Sequence, residues 1–175
     1  MNLGDVFAFF GTLLAIGLAW PGLLLAWSLL VPTTVERARH RLERTPWRCF
    51  WLGGLLLAVS IPLVVILLKI PAGPVQLAGW LAVFVLLSGA SLGAAGLAAL
   101  LGDRLRGAGL AVSRPGALLR GAVALELAAV FPLIGWFVLI PLAGVCALGA
   151  AGFALLHWMP RPVPAPEAVH AGYTP

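Results

Sequence analysis

Residues 79–100 read GWLAVFVLLSGASLGAAGLAAL, and residues 135–156 read GWFVLIPLAGVCALGAAGFALL. The offset is 56 residues, and 10 of the 22 aligned positions are identical. Alanine, glycine and leucine match often by chance in a chain this rich in them, but the paired anchors Gly79-Trp80 and Gly135-Trp136 do not. Each copy opens with a tryptophan where an aromatic ring can sit among lipid headgroups, continues through large apolar residues and closes on small ones. Two related membrane helices are predicted. Their small residues, Gly89, Gly93 and Gly96 in the first copy and Ala143, Ala147 and Ala151 in the second, form ladders on which apolar helices approach closely in lipid.

Composition agrees with this reading. A chain of 175 residues that is 62% hydrophobic and 10% charged, with mean hydropathy +1.06, has too much apolar surface for one soluble core. The net charge of +5 lies in short loops between apolar runs, with no aromatic platform beside it. It points to membrane orientation rather than to nucleic acid. Cys49 and Cys146 fall at or inside apolar segments and outside any CxxC or His/Cys grouping, which predicts small buried hydrophobes. The N-terminus carries Asp5 and no Lys or Arg, and the run behind it lacks a small-residue cleavage site, so it is expected to stay as a helix.

In chain order, the first span covers about 6–31, enough to cross ~30 Å of hydrocarbon with some tilt, and Pro21-Gly22 should kink it. The loop 32–48 follows, with Arg37, Arg39, Arg41, Arg44 and Arg48 against Glu36 and Glu43. A short helix capped by Thr33 or Thr34 would put Arg37, Arg41 and Arg44 on one face, as suits a segment lying on anionic headgroups; ordinary positive-inside bias explains the same charges. Trp47 and Trp51 lead into the second span, 49–70, which ends in Lys69. Pro71-Ala72-Gly73-Pro74 turns the chain into the third span, 75–101.

The connector 103–117 is again basic. Counting Lys and Arg on the two sides places both basic loops in the cytoplasm and the N-terminus outside. The apolar run Leu118 to Trp158 would make a helix of ~60 Å, about twice the hydrocarbon thickness, so it must bend, and Phe131-Pro132-Leu133-Ile134-Gly135-Trp136 is the place. The piece 118–131 is either a short or re-entrant helix or an interfacial one, and the repeat favours the first. The last span is then 133–158, with Trp80, Trp136 and Trp158 as further interfacial anchors and the C-terminus in the cytoplasm. The Pro-rich tail, 160–175, is expected to be extended and mobile.

Glu126 is the acidic residue inside an apolar run, where a charge costs at least ~2.5–3.5 kcal/mol on insertion scales. Nothing at its helical neighbours Ala122 and Val130 satisfies it. The repeat offset places it level with Ile70, which predicts a Lys69–Glu126 ion pair joining the two hairpins; a proton- or ion-coupling carboxylate is the functional alternative. His40, His157 and His170 share no ligand spacing, and no catalytic grouping or phosphate loop is present.

Arg44-Thr45-Pro46-Trp47 leading into Leu52-Gly53-Gly54-Leu55, the Lys69-Ile70-Pro71-Ala72 turn, Leu92-Gly93-Ala94-Ala95-Gly96, and Glu126-Leu127 through Phe131-Pro132-Leu133-Ile134-Gly135-Trp136 to Leu148-Gly149-Ala150 carry a resemblance. Over about residues 44–156 the chain resembles a multi-spanning bacterial membrane domain that accompanies bactofilin-like, polymer-forming β-solenoid modules. The resemblance implies a membrane anchor or assembly platform. The chain departs from that pattern in lacking a β-solenoid and adding a first span.

The expected fold is therefore all-α: a polytopic integral membrane helical bundle, residues 1–159, with four clear transmembrane helices, a short or re-entrant helix and an internal helix repeat. The expected role is a non-enzymatic scaffold, anchor or accessory subunit in a bacterial inner membrane. It would need no cofactor or metal, and would meet lipid and a membrane protein partner or its own copies through its small-residue faces. A small channel or secondary transporter using Glu126 is the alternative.

Overall fold

The computed structural model describes residues 3–109, 113–131 and 133–158. Pro132 and the tail expected at 160–175 lie outside the described residues. Every regular element among those residues is helical: α1 (Leu3–Leu30), α2 (Pro32–Arg44), α3 (Pro46–Lys69), α4 (Gly73–Gly107), α5 (Arg114–Val130) and α6 (Ile140–Leu155), the last entered through a π-helical turn, Gly135–Leu139. Helices α2 to α5 each carry proline in the first or second position, where its missing N–H costs nothing and its fixed φ suits a helix start; Pro141 instead follows the π-helical turn inside the continuous helix Gly135–Leu155.

Among the described residues, three spans are long and apolar enough singly to cross a membrane: α3, α4 and Gly135–Leu155. A fourth is counted when Gly17–Leu30 and α2, which meet at a bend of 109°, are taken as one broken span. Helix α5, with 17 residues, rises only about 25 Å, short of the ~30 Å hydrocarbon layer. Helix α1 continues through Pro21, and α3 through Pro62, without a break in either helix.

Named contacts fix the relative directions. Gly149 meets Cys49, and Gly53 meets Val145, so α3 runs against α6. Gly102 meets Ala117, and Gly121 meets Ala98, so α5 runs against α4. Gly93 meets Ala147 while Leu100 clusters with Ala150 and Ala154, so α4 and α6 run together. Leu24 of α1 packs among Ala94, Ala95, Ala98, Ala122 and Ala147, which threads α1 beside α4 and α5. The result is an alternating bundle in which α4 packs against α3, α5 and α6, while α5 meets the last span at the turn Gly135–Leu139.

Small residues make the core. At the α3–α6 crossing a Cβ on Gly53 or Gly149 would strike the other helix's backbone, and a Cβ on Gly93 would strike the backbone at Ala147. Only a glycine allows such an approach, and close backbone packing is the main attraction between helices in lipid. The outer surface is instead large and apolar, with Phe84, Val85, Leu87, Phe137 and Val138 all exposed.

Helix α2 departs from expectation. Rather than lying on headgroups it packs into the α4–α6 groove, with Val35, Ala38, Arg41 and Leu42 buried and Ala38 against Gly96. Its N-cap is Val31, and neither threonine caps it. Arg41, expected on the outer face, is only 5% exposed, its guanidinium 4.4 Å from the centre of the Phe153 ring. A cation over an aromatic face is attracted by the ring quadrupole, more strongly once both are desolvated.

Helix α6 ends in a Schellman turn. The Trp158 N–H donates to Phe153 O at 3.1 Å and the His157 N–H to Ala154 O at 3.4 Å, while the Phe153 and Trp158 rings lie 6.3 Å apart. His157 carries the left-handed conformation, φ 55°, which the clash of Cβ with the carbonyl makes costly for any residue but glycine. His157→Gly is therefore expected to stabilise the chain by about 0.5–1 kcal/mol, read as a rise in melting temperature in detergent.

Candidate functional site

Between α1, α4, α5 and α6 lies a cleft of about 800 Å³. Its rim carries Trp20, Leu23, Phe84 and Leu87, and its floor is small: Ala90, Ala94, Ala129, Ala143, Gly144 and Ala147. Three polar side chains belong to it besides the Trp27 indole: Ser88, Ser91 and Glu126. The Trp27 Nε1–H donates to Ser91 Oγ at 2.9 Å, and the Ser91 hydroxyl donates to Ser88 O at 2.9 Å, so Trp27 and Ser91 are satisfied within the chain.

Glu126 is not. Its carboxylate faces α1, with Oε1 3.3 Å from where a Cβ on Gly17 would stand, and among the described residues no hydrogen bond or ion pair reaches it. The expected pair with Lys69 is not formed. Lys69 ends α3 in an exposed position, and α3 packs on α6 and α4 while α5 packs on α4 and α1. The repeat offset gave the depth of Glu126 along the bundle axis, but depth says nothing of azimuth, and Glu126 looks toward α1.

The other expected positions divide cleanly. Gly93, Gly96, Ala147 and Ala151 are buried, and a Cβ on Gly89 would stand 3.4 Å from a Leu148 methyl. These ladders pack helices of the same chain, and of the six Ala143 and Ala147 also border the cleft. Trp47, Trp51, Trp80, Trp136 and Trp158 are all exposed. Trp47 and Trp51 stand near Trp158 at one end of the bundle and Trp80 and Trp136 at the other, given the helix directions above. Trp47, Phe50 and Trp51 contact one another.

The arginines gather at the first of these ends, on α2, the start of α3, the end of α4 and the first turns of α5. Arg37 is half-buried, and Arg44 and Arg48 are exposed. Arg39 bonds Asp103 and, at 2.7 Å, Glu36. Burial works against the Arg39 charge, but Glu36 and Asp103 outweigh it and hold its pKa above the ordinary value. Burial pulls the Arg41 guanidinium below it. Cys49 and Cys146 are free thiols, and among the described residues no three His, Cys, Asp or Glu side chains gather as a metal site would need.

Sequence reasoning did not reach the cleft, the Trp27–Ser91 bond, or the crossings at Gly53, Gly102, Gly121 and Gly149. The signal for Gly149 was present, because it is the repeat equivalent of Gly93. No family model matches the chain, and no curated protein or solved structure matches it.

Proposed function

We propose that this chain is a non-enzymatic, multi-pass membrane protein that serves as an anchor or accessory subunit, receiving a membrane helix of a partner protein in the cleft beside Glu126. The observation that carries the reading is a carboxylate with no partner among the described residues, in a cleft partly lined by alanine and glycine. In lipid, helices associate where small residues admit a backbone and where a polar group finds a partner across the interface. The ladders elsewhere are already occupied, so the cleft is the small-residue face left for another chain. The resemblance to a membrane domain that accompanies polymer-forming modules points the same way.

A bilayer setting is supported by the aromatic residues at both ends. From Trp136 to Trp158 the rise is roughly 33 Å at ~1.5 Å per residue, close to the ~30 Å of hydrocarbon. The arginine-rich end faces the cytoplasm by the positive-inside rule, which puts the N-terminus outside and the basic loops and C-terminus inside.

The test is the mass and composition of the complex taken from its native membrane in lipid particles by a tag on the tail. A stoichiometric second membrane protein is expected. Gly144→Leu should remove it, because a Cβ at Gly144 meets nothing within 4 Å and the longer side chain fills the cleft without disturbing the bundle. A lone chain in those particles, or a partner retained by Gly144→Leu, would sink the reading.

A second reading is favoured by one observation. Glu126 sits near a helix break followed by a π-helical turn, and such turns are frequent at functional sites. That arrangement suits a coupling carboxylate in a small transporter, and proton flux in liposomes that Glu126→Gln abolishes would establish it.

A further inference from the structure

A second cavity, of about 300 Å³, lies at the arginine-rich end, where α1 runs into α2 beside the end of α4 and the start of α5. Arg39, Arg106 and Arg114 line it, opposed by Glu36 and Asp103, which leaves one positive charge in excess. Both carboxylates are engaged by Arg39. Arg106 and Arg114 have no ion pair among the described residues, and the Nε–H groups of Arg39 and Arg106 are buried without an acceptor. A buried guanidinium donor left unmatched is costly, and native proteins rarely keep one unless something supplies the acceptor.

The backbone adds to this. The first turn of the 17-residue helix α5 borders the cavity through Arg114, Pro115 and Ala117, and its N-cap Ser113 makes no side-chain cap. Pro115 has no N–H and the Ala117 N–H donates to Ser113 O, so what the helix end adds is the partial positive charge of its dipole.

We propose that this cavity binds the phosphate group of an anionic ligand, with Arg106 and Arg114 as its charged donors and the positive end of the α5 dipole beside them. Arg39 is held by its two carboxylates and acts as the wall between them. A phosphate oxyanion matches the set because its oxygens accept several donors at once and guanidinium forks fit them. Two sources share that chemistry: the headgroup of an anionic phospholipid, since the cavity sits at the bundle end where headgroups would lie, and a soluble phosphate. The inference stands apart from the cleft and does not depend on a partner helix.

The test uses the full chain in nanodiscs of phosphatidylcholine, probed in one arm by adding phosphatidylglycerol to the discs and in the other by adding millimolar inorganic phosphate. A melting shift of several degrees is expected in one arm, and that arm names the source. The double variant Arg106→Gln with Arg114→Gln should lose the shift, with binding weakened by roughly tenfold or more, while Arg104→Gln, on the same helix but outside the cavity, keeps it. Should the double variant fail to fold, Arg114→Gln alone, exposed at the first position of α5, must still reduce the shift. No response of the wild type to either probe, or equal responses of wild type and variants, overturns the proposal.

Discussion

Gly149→Ala is expected to cost about 3 kcal/mol, roughly 6–12 °C in melting temperature for a chain of this size. The added Cβ would stand 2.8 Å from both the Cys49 carbonyl carbon and the Gly53 nitrogen. These are backbone atoms, so no rotamer change relieves the overlap and α3 must back away along the whole seam. That seam includes Cys49, which is fully buried, so the retreat opens packing well beyond one methyl group. Gly54→Ala is the matched control. It follows Gly53 but lies about 100° around the helix from the seam, its Cβ meets nothing within 4 Å, and replacing a mid-helix glycine should be neutral or stabilise by up to ~1 kcal/mol. Equal melting of the two variants in detergent would show that α3 and α6 do not cross as closely as this.

Glu126→Leu is expected to separate stability from association. In the isolated chain it removes a carboxylate that has no partner among the described residues, so the melting temperature should hold or rise, by an amount worth up to ~2.5 kcal/mol if the group lies near mid-bilayer. Had the Lys69 pair formed, the same change would have lowered stability. In the native membrane it should release the partner from the lipid particle, weakening the complex roughly tenfold or more if the carboxylate is the polar contact across the interface. Native-membrane extraction followed by mass measurement reads the second effect and a melting curve the first. A drop in melting with the partner still bound would reverse both assignments.

The helices themselves were legible. Hydropathy and the Gly-Trp repeat placed a helix at each of α3, α4 and the last span, although α4 runs on to Gly107, six residues past the expected end at 101, and the turn at Ile70 to Ala72 followed from its prolines. The break before Gly135 was visible because 40 apolar residues cannot lie straight in ~30 Å of hydrocarbon. What sequence could not supply was rotation about each axis. Gly93 announced itself as a packing residue but not that Ala147 would lie on it. Arg41 looked solvated because arginine usually is, and only the aromatic face of Phe153 makes its burial tolerable. The cleft was invisible for the same reason, since it belongs to no single helix.

The seat of α2 also constrains how the molecule is made. Ala38 rests on Gly96 and Arg41 lies over Phe153, both residues that leave the ribosome long after α2 does. Contacts of such high sequence separation form late, because the intervening chain must first be brought together. During synthesis α2 is therefore a basic, amphipathic segment without a home, and the membrane surface is its natural waiting place. The arrival of the last helix completes the groove and draws α2 off the surface, so closure of the bundle is an act of the C-terminal end on the N-terminal one.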